Sequence, residues 1–432
     1  NTSYQSKELE YLLRQSESTT LLLLDNFKGV SYLDMLQELC PELENCAPGE
    51  LASNRLPKLK NIIFMGSERH PGMFTWDDLL NKASTITDEE LMTLQNSTSY
   101  EDVINMQYTS GTTGFPKGVM LTHSNIINNA INVAECQKLT VEDRICIPVP
   151  FFHCFGCVMG TLAAVATGAT MVPLVIIAEL NHPDFEEYDL SSLRTGIMAG
   201  SPCPTEIMKR VVHDMGAKEI TIAYGQTEAS PVITQTRPYD SIERRVSTVG
   251  SALDNVEVKI IDPATGETVP TGIQGELCTR GYLVMKGYYN MEDQTKDTID
   301  KDGWLHTGDL ATIDEDGYVV ITGRLKDMII RGGENIYPRE IEEFLYSHPK
   351  IFDVQIVGVP DEKFGEQVAA FIKVKPGESL DSQEVKDYCT GKISKYKIPY
   401  YVEIVDEYPM TASGKIQKFK LREYAVNTLV KI

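Results

Sequence analysis

The chain has 432 residues, and its 40 lysines and arginines against 62 aspartates and glutamates give a formal net charge of −22 at pH 7. Binders of nucleic acid or of anionic membranes need a basic surface, so this charge argues against both classes of partner. With 42% hydrophobic and 24% charged residues, the composition excludes a disordered or fibrous chain and is typical of a globular protein with a sizeable core.

The cysteines and one long uncharged run indicate in which cellular compartment the protein functions and whether it spans a membrane. The nine cysteines are an odd number spread thinly over the chain, which is unlike a disulfide framework and favours a reducing, cytoplasmic location. Cys154 and Cys157 have the spacing of a redox or metal pair, but no second such pair follows, so buried thiols are the preferred interpretation. Residues 145–178 carry no formal charge, yet prolines and glycines interrupt them, which favours two short buried elements over a membrane span.

In chain order, the first elements alternate between helices and short apolar strands. Leucines at helical spacing after Ser6 predict a helix, and residues 20–24 then predict a strand. A second helix over 32–39 precedes another strand over 62–65. This alternation indicates a parallel α/β sheet, and we expect it to continue through Tyr224.

The second half of the chain predicts a β-rich subdomain and then a small separate unit. Between about residues 246 and 323, β-rich runs such as 256–261 are separated by turn sequences. The last unit, residues 324–432, has α+β character, and its predicted elements are a helix over 339–345, strands over 354–359 and 368–374, and a helix over 381–392. At about 150 residues per domain, the length fits a large domain, 1–323, followed by this small one. The expected fold class is therefore α/β, with parallel-rich sheets, helices and a β subdomain in the large domain.

The glycine-rich segment 108–118 is the strongest functional signal. It reads Tyr-Thr-Ser-Gly-Thr-Thr-Gly-Phe-Pro-Lys-Gly, and such a loop can turn amides and hydroxyls toward phosphate oxygens while Lys117 supplies positive charge. It is not a Walker A loop, because Pro116 and Gly118 flank the lysine where that loop has glycine before it and serine or threonine after it. A flexible polar turn explains the glycines or threonines singly but not their combination.

This loop resembles the phosphate-binding signature of the AMP-forming acyl-CoA synthetase and adenylation superfamily. Further segments match that family in the same order and cover nearly the whole chain: 151–153, 199–202, 224–228, 304–309, 323–338 and 409–418. Each motif alone carries modest information, but their ordered combination is highly specific. The closest resemblance is to the medium-chain fatty acid:CoA ligases.

The resemblance implies a nucleotide site assembled from these segments. The residues implied to hold the phosphates are Thr109, Ser110, Gly111, Thr112, Thr113, Gly114, Phe115, Pro116 and Lys117. Those implied to lie along the adenine are Gly200, Ser201, Pro202, Tyr224, Gly225 and Gln226, with Tyr224 stacked on the base. Thr227 would meet the α-phosphate and Glu228 would hold Mg²⁺, a cation that prefers carboxylate and phosphate oxygens. Asp309 would accept hydrogen bonds from the ribose hydroxyls, with Arg324 beside it.

The same resemblance assigns roles outside the nucleotide site. His153 would lie beside the acyl pocket, and Lys415 would reach the carboxylate and the α-phosphate during adenylation. Lys326 falls where the family has its inter-domain hinge, at 324–327. Gly332 and Gly333 would let the backbone approach the pantetheine arm of CoA closely. The distance in sequence between Lys415 and the glycine-rich loop implies that the small domain is mobile and closes onto the large one.

Each of these residues also has an ordinary structural interpretation. His153 alone could be a core histidine with satisfied hydrogen bonds, and Glu228 alone could be a solvated loop carboxylate. Asp309 could accept a hydrogen bond from a turn amide. Lys415, on a Ser-Gly turn, would by itself be a solvated surface charge.

The implied activity is ATP-dependent activation of a carboxylic acid to acyl-AMP and then to its CoA thioester, with a medium-chain fatty acid as the expected substrate. ATP, Mg²⁺ and coenzyme A are the expected cofactors, and the enzyme would be an AMP-forming acid–thiol ligase. Residues 153–159 contain no acidic residue to pair with the ammonium of an amino acid, which favours a hydrophobic carboxylate.

Three alternatives stay open at this point. The acyl group could pass to a carrier protein or, as in luciferases, be oxidised, or the chain could be a catalytically silent nucleotide-binding homologue. Retention of Lys415, Glu228, Asp309 and Arg324 together argues against the silent homologue. The sequence does not determine the oligomeric state, with a homodimer among the alternatives.

Two departures from the family pattern are expected to matter. Family members carry roughly a hundred further residues ahead of the counterpart of Asn1, so the chain is interpreted as truncated or processed. Residues 172–179 join a strand directly to a helix, which predicts a missing segment near 174–177 and the loss of part of the acyl pocket.

Overall fold

The computed structural model of the chain describes residues 1–27, 29–109, 116–173, 185–200, 205–410 and 416–430. They form two compact units: Asn1–Ser124 with Met285–Thr295, and Asn125–Val284 with Lys296–Ile432. The predicted boundary at 324–327 falls inside the second unit, and it stays a prediction. The predicted missing segment near 174–177 lies outside the described residues.

Helices and strands follow one another along the described ranges. The helices α1 to α12 are, in chain order, Ser6–Gln15, Tyr32–Leu39, Trp76–Ala83, Asp88–Asn96, His123–Cys136, Ala163–Thr167, Thr205–His213, Ile242–Ser247, Glu292–Thr298, Pro338–Tyr346, Ser382–Cys389 and Lys418–Thr428. The strands β1 to β23 are Thr20–Leu23, Asn26–Phe27, Val30–Ser31, Asn61–Phe64, Phe74–Thr75, Val103–Thr109, Lys117–Thr122, Arg144–Ile147, Thr170–Pro173, Thr195–Met198, Glu219–Gly225, Val232–Gln235, Ser251–Ala252, Val256–Ile261, Gly275–Gly281, Gly287–Tyr288, Leu305–Ile313, Val319–Arg324, Ile329–Arg331, Glu334–Ile336, Ile351–Asp361, Gly365–Val374 and Tyr401–Ile404.

The first unit contains the predicted parallel sheet. Strand β4 lies between β1 and β5 and is parallel to both. Helix α2 begins where the Ser31 hydroxyl accepts the amide hydrogen of Asp34, and it buries Leu36 and Leu39 against Ile62 of β4. The helices predicted after Ser6 and over 32–39 and the strands near 20–24 and 62–65 are confirmed.

The glycine-rich loop departs from the predicted strand–helix alternation. It joins β6 to β7, which pair antiparallel, and β16 pairs with the other side of β7. Thr109 and Lys117 face each other across this ladder. A short connection of this kind closes a hairpin, because a parallel crossover needs a dozen or more residues.

In the second unit, β10 and β11 run parallel, and β12 and β13 continue the same sheet antiparallel. The uncharged run after Ile145 contains β8 and β9, which pair parallel, with a π-helical segment, Phe155–Leu162, leading into α6 between them. The run is therefore broken into short elements, as predicted, but there are more than two of them. Among the described residues, no helix is long and apolar enough to cross a membrane.

The predicted β subdomain is an antiparallel sheet in the order β14-β15-β17-β18. Leu277, Leu305, Ala311 and Val319 lie in its buried cluster. Two irregularities in register interrupt the pairing of β17 with its neighbours near Asp309. Asp309, a residue of the candidate site, lies at these irregularities.

The last part of the second unit has its own sheet, β20-β19-β22-β21, with β23 pairing parallel to β22. Helices α10 and α11 cover one cluster, which includes Ile341, Val354 and Val385, and α12 covers another around Phe371. The helix predicted over 381–392 ends earlier, at Cys389. The other elements predicted for this part of the chain, a helix over 339–345 and strands over 354–359 and 368–374, are confirmed. The α/β fold class is confirmed.

Candidate functional site

The motif 224–228 follows the carboxyl end of β11, as predicted. A side chain at Gly225 would place its Cβ 1.9 Å from the carbonyl oxygen of Pro231, so the backbone approach at this position requires glycine. The chain then forms a short 3₁₀ turn, Thr227–Ala229, which carries the half-buried Glu228. Ligands bind preferentially at the carboxyl ends of strands in such sheets.

Three strands bring four side chains together in what we call the Asp309 corner: Tyr224, Thr307, Asp309 and Arg324. The Tyr224 hydroxyl donates to Asp309 Oδ2 at 2.7 Å, and Arg324 Nε lies 3.1 Å from Asp309 Oδ1. Asp309 and Arg324 are register partners on β17 and β18, which explains why residues fifteen positions apart meet. Thr307 Oγ1 accepts the amide hydrogen of Asp309 at 3.1 Å. The predicted pair of Asp309 and Arg324 is thus formed.

The charges of the corner act on one another. Burial, and then the charge of Asp309, hold the pKa of Tyr224 well above its ordinary value of 10, so the hydroxyl keeps its proton and donates. Burial lowers the pKa of Arg324, but the negative charges around it, Asp309 first and Glu228 among them, more than offset this and leave it raised. Glu228 therefore lies within electrostatic reach of the corner.

A buried polar cluster beneath the corner was not predicted from the sequence. Glu276 on β15 contacts His306 on β17, with Oε2 3.0 Å from Nδ1, and its Oε1 accepts the amide hydrogen of Gly308 at 3.0 Å. Cys278 Sγ lies 3.6 Å from the same ring nitrogen. A glutamate directly before Leu277 and Cys278 was the available signal, but its partner His306 lies thirty residues away and becomes a neighbour only through strand pairing.

The turn between β19 and β20, residues 331–334, which we call the glycine hairpin, holds Gly332 and Gly333. Both have positive φ, +61° and +88°. The amide of Gly332 donates to the carbonyl of Phe364 at 2.7 Å, whereas a Cβ on Gly333 would meet nothing within 4 Å. The exposed Lys326 lies in a 3₁₀ turn just before this strand pair.

His153 is exposed at the start of the π-helical segment. Its Nδ1 accepts the amide hydrogen of Phe155 at 3.2 Å, so a neutral ring carries its proton on Nε2. The next residue, Cys154, is 1% exposed, and burial raises the pKa of its thiol. A buried, protonated thiol is unreactive, which agrees with the preferred interpretation of this cysteine.

The first unit holds the two described ends of the glycine-rich loop. Lys117 Nζ lies 4.4 Å from the centre of the Tyr288 ring, which holds the lysine by a cation–π contact. The carbonyl of Pro116 accepts a hydrogen bond from the Tyr11 hydroxyl at 2.9 Å. Burial raises the pKa of Tyr108, on the strand before the loop, to about 12.

Nine of the predicted site residues lie outside the described residues: Ser110, Gly111, Thr112, Thr113, Gly114, Phe115, Ser201, Pro202 and Lys415. Gly200, directly before two of them, has φ of +89°. Around Lys415, Met410 and Ile416 form an antiparallel bridge, and the amide of Gln417 donates to the carbonyl of Pro409. The ends of the Lys415 loop are therefore held together.

Comparison with known families decides the membership of the chain. The profile described as "AMP-binding enzyme" matches residues 1–175 and 170–289, and the profile described as "AMP-binding enzyme C-terminal domain" matches residues 340–415. The chain belongs to the AMP-binding enzyme family. The superfamily predicted from the sequence motifs is confirmed.

Named relatives in this family are similar over nearly the whole chain. "Putative acyl-CoA synthetase YngI" of Bacillus subtilis (strain 168) is 60% identical, over 99% of this chain and 82% of that protein. "Medium-chain acyl-CoA ligase ACSF2, mitochondrial" of Danio rerio is 45% identical, over 98% of this chain and 74% of that protein. The predicted enzyme class, an AMP-forming acid–thiol ligase, is thereby confirmed.

Solved structures share the fold. ATP-bound MatB from Rhodopseudomonas palustris has a TM-score of 0.82 at 26% identity, covering 100% of this chain and 84% of that one. The anthranilate CoA ligase AuaEII, in complex with anthranoyl-AMP, has the same TM-score and identity, covering 99% of this chain and 82% of that one. Both neighbours carry adenine nucleotides or adenylates.

Proposed function

We propose that this AMP-binding enzyme uses ATP to convert a medium-chain fatty acid to acyl-AMP and then transfers the acyl group to coenzyme A. The observation that carries the proposal is the Asp309 corner. Its carboxylate is 6% exposed and lies between a tyrosine hydroxyl and a guanidinium, and such a group can accept hydrogen bonds from both hydroxyls of a ribose. The relatives named as medium-chain acyl-CoA ligases support the acyl group and the thiol.

We propose that the corner binds the ribose and the adenine of ATP together. Because the Tyr224 hydroxyl donates to Asp309, one contact fixes both the acceptor for the ribose and the ring that stacks on the adenine. Thr227 follows in the 3₁₀ turn, where its hydroxyl would donate to the α-phosphate. Gly200, Gly225 and Gln226 complete the adenine side of the proposal.

Glu228 is the proposed Mg²⁺ ligand. It is a half-buried carboxylate at the end of β11, next to the motif that holds the nucleotide, and oxygen ligands of this kind suit a hard cation. When bound, Mg²⁺ would neutralise charge on the phosphates of ATP. The charge of Glu228 also reaches Arg324, so the metal ligand and the ribose corner are coupled electrostatically.

In the first half-reaction, an oxygen of the fatty-acid carboxylate attacks the α-phosphorus of ATP. The bond from that phosphorus to the β-phosphate oxygen breaks, and pyrophosphate leaves with the electron pair. Lys415 would offset the negative charge that grows on the reacting phosphate and carboxylate. The residues of the glycine-rich loop, from Thr109 to Lys117, would hold the β- and γ-phosphates.

In the second half-reaction, the thiolate of CoA attacks the carbonyl carbon of acyl-AMP and AMP leaves. We propose that the part of the chain after the hinge at 324–327 rotates about Lys326 and exchanges Lys415 for the glycine hairpin. The hairpin suits a pantetheine arm, because Gly333 has open space where a side chain would stand. His153, whose neutral ring would carry its proton on Nε2, could donate to the substrate carboxylate.

The acyl pocket is proposed to include the π-helical segment. Its residues are apolar or small, and Gly156 is required because a Cβ there would lie 2.4 Å from the carbonyl oxygen of Pro150. An apolar wall without a carboxylate suits a hydrocarbon chain and not an ammonium group. Fatty acid, ATP and CoA are thus the proposed small-molecule partners.

A cytoplasmic location belongs to the same proposal. The described cysteines form no disulfide with one another, which supports a reducing compartment. Fractionation of cells that express the tagged chain would test the location, and gel filtration with light scattering would measure the oligomeric state.

The test of the proposed function is a panel of carboxylic acids, from acetate to palmitate with benzoate and several amino acids, scored for AMP release with and without CoA. We expect release with acids between hexanoate and dodecanoate, rising strongly when CoA is added. Release that CoA does not stimulate would favour transfer to a carrier protein or another acceptor. No release with any acid would favour the silent nucleotide-binding homologue.

A further inference from the structure

The strand that carries Asp309 bulges over residues 307–309. Glu276 pairs with Leu310 and Cys278 with His306, so one residue of β15 lies opposite three of β17, namely residues 307–309. Such a bulge interrupts the backbone ladder and leaves amide groups that need other partners. Gly308, in the bulge, has φ of +70°.

The side chain of Glu276 supplies the missing partner. It is 7% exposed, and its two oxygens hold the two sides of the bulge: Oε1 accepts the amide hydrogen of Gly308, and Oε2 lies 3.0 Å from His306 Nδ1. The remaining residue, Thr307, donates to the carbonyl of Leu277 at 2.7 Å and accepts the amide hydrogen of Asp309. Each residue from 306 to 309 therefore has a polar contact either with β15 or with another residue of the bulge.

The same cluster has the composition of a cation site, since Glu276, Cys278 and His306 each place a ligand atom within 4.8 Å of the others. The contacts of Glu276 favour a positioning role instead, because both of its oxygens already lie at hydrogen-bond distance from protein groups.

We propose that Glu276 is a positioning residue that sets the orientation of the Asp309 carboxylate by bracing this bulge through Gly308 and His306. The inference rests on the proposed binding of ribose hydroxyls by Asp309. Because Glu276 would act through Asp309, its loss should affect recognition of one part of ATP, the ribose, and leave recognition of the triphosphate and of the acyl group unchanged.

The test compares ATP with 2′,3′-dideoxy-ATP as substrates for acid-dependent AMP or dideoxy-AMP formation, in wild type and variants. Wild type should prefer ATP. Glu276→Ala should reduce that preference about tenfold, as expected for the loss of one well-made hydrogen bond, with KM for ATP rising while kcat and KM for CoA change little. Glu276→Gln retains an acceptor for Gly308 and should restore most of the preference. Glu257→Gln, on the adjacent strand with its side chain 58% exposed, is the matched control and should behave as wild type.

Several results would overturn the proposal. A folded Glu276→Ala variant that keeps the wild-type preference for ATP would do so, as would equal losses with both nucleotides. If Glu276→Ala does not fold, Glu276→Asp, which withdraws the carboxylate by one methylene, must lower the preference in its place. A wild-type enzyme with no preference for ATP would overturn the ribose role of Asp309 and this proposal with it, whereas AMP formation itself would still support the proposed function.

Discussion

The Asp309 corner, at a bulge in β17, and the glycine hairpin, a turn between β19 and β20, both belong to the second unit, yet they are built in opposite ways. In the corner, a nearly buried carboxylate has a partner on each side, and Glu276 accepts a hydrogen bond from Gly308 in the bulge. In the hairpin, Gly333 has positive φ and no atom within 4 Å of where a side chain would begin. The corner thus has its polar groups already paired and in place, whereas the hairpin leaves open space.

The difference fits the two substrates proposed for them. A nucleoside has a fixed shape with paired hydroxyls, and binding groups already in place lower the cost of ordering it. A pantetheine arm is a flexible chain that needs room for close approach to the backbone. Variants in the corner should therefore impair formation of acyl-AMP, and variants in the hairpin should impair its use.

Lys415→Ala should give the largest effect. Removing a charge that stabilises the transition state should lower acyl-AMP formation by about 10² to 10³-fold. Attack of CoA on supplied acyl-AMP should stay largely intact, because Lys415 is proposed to leave the site for that step. Equal loss of the two half-reactions, measured separately, would count against the exchange of Lys415 for the glycine hairpin.

Asp309→Ala should follow. The variant loses the acceptor of two ribose hydrogen bonds, so kcat/KM for ATP should fall about 100-fold. Asp309→Asn, which still accepts from Tyr224, should lose less. Asp316→Ala, at an exposed aspartate paired with Arg244, is the control, and a comparable fall there would show that the effect is not specific to the corner.

Gly225→Ala and Gly333→Ala form a matched pair for stability. At Gly225 the new Cβ collides with backbone, and we expect destabilisation at the upper end of the usual overpacking range of about 1–3 kcal/mol. At Gly333 the space is open and only the positive φ is strained, at about 1–2 kcal/mol. Thermal unfolding of the two variants should rank them in this order, and the reverse order would contradict the requirement for glycine at position 225.

Gly333→Ala should also separate the half-reactions. We expect KM for CoA to rise about tenfold, as for the loss of about 1.4 kcal/mol of binding, with no change in pyrophosphate exchange. Steady-state kinetics with CoA as the varied substrate gives the first quantity. An unchanged KM for CoA would remove the glycine hairpin from the proposed thiol site.

The smallest expected effect is on the pH dependence of stability, through a histidine between α10 and β21. His348 is 4% exposed, and burial lowers its pKa from the ordinary value of 6.5. Below pH 6.5 the unfolded chain therefore binds a proton at His348 more readily than the folded chain does. The contribution of His348 to the free energy of unfolding is complete above pH 6.5 and decreases as the pH falls from 6.5 toward the lowered pKa of the folded state.

His348→Gln removes this titration and keeps an acceptor for the amide of Lys350. The difference in unfolding free energy between wild type and the variant should shrink as the pH is lowered from 7.5 to 5. A difference that stays constant over this interval would show that His348 does not contribute to the pH dependence.

Local patterns in the sequence were sufficient for much of the fold. The helical stretch over 32–39 predicted α2 with its bounds, and the run 256–261 predicted β14. Both elements depend on spacing that a sequence shows directly. The family resemblance, and not spacing, implied that Asp309 and Arg324 lie together, and the pairing of β17 with β18 places them opposite each other.

Other features depend on how distant strands pair. The hairpin that carries the glycine-rich loop was expected to continue a strand–helix alternation, since propensity does not reveal the direction of a partner strand. The contact of Glu276 with His306 arises from a bulge, and a bulge changes register without a clear signal in composition. The hinge at 324–327 stays a prediction, because it concerns motion.

The most direct test of the whole account is the exchange of ³²P-pyrophosphate into ATP, measured with and without octanoate and in the absence of CoA. The account predicts exchange that requires the acid, and that Asp309→Ala lowers while Gly333→Ala does not. Exchange without any carboxylic acid, or its absence with every acid that supports AMP release, would contradict formation of acyl-AMP as the first step.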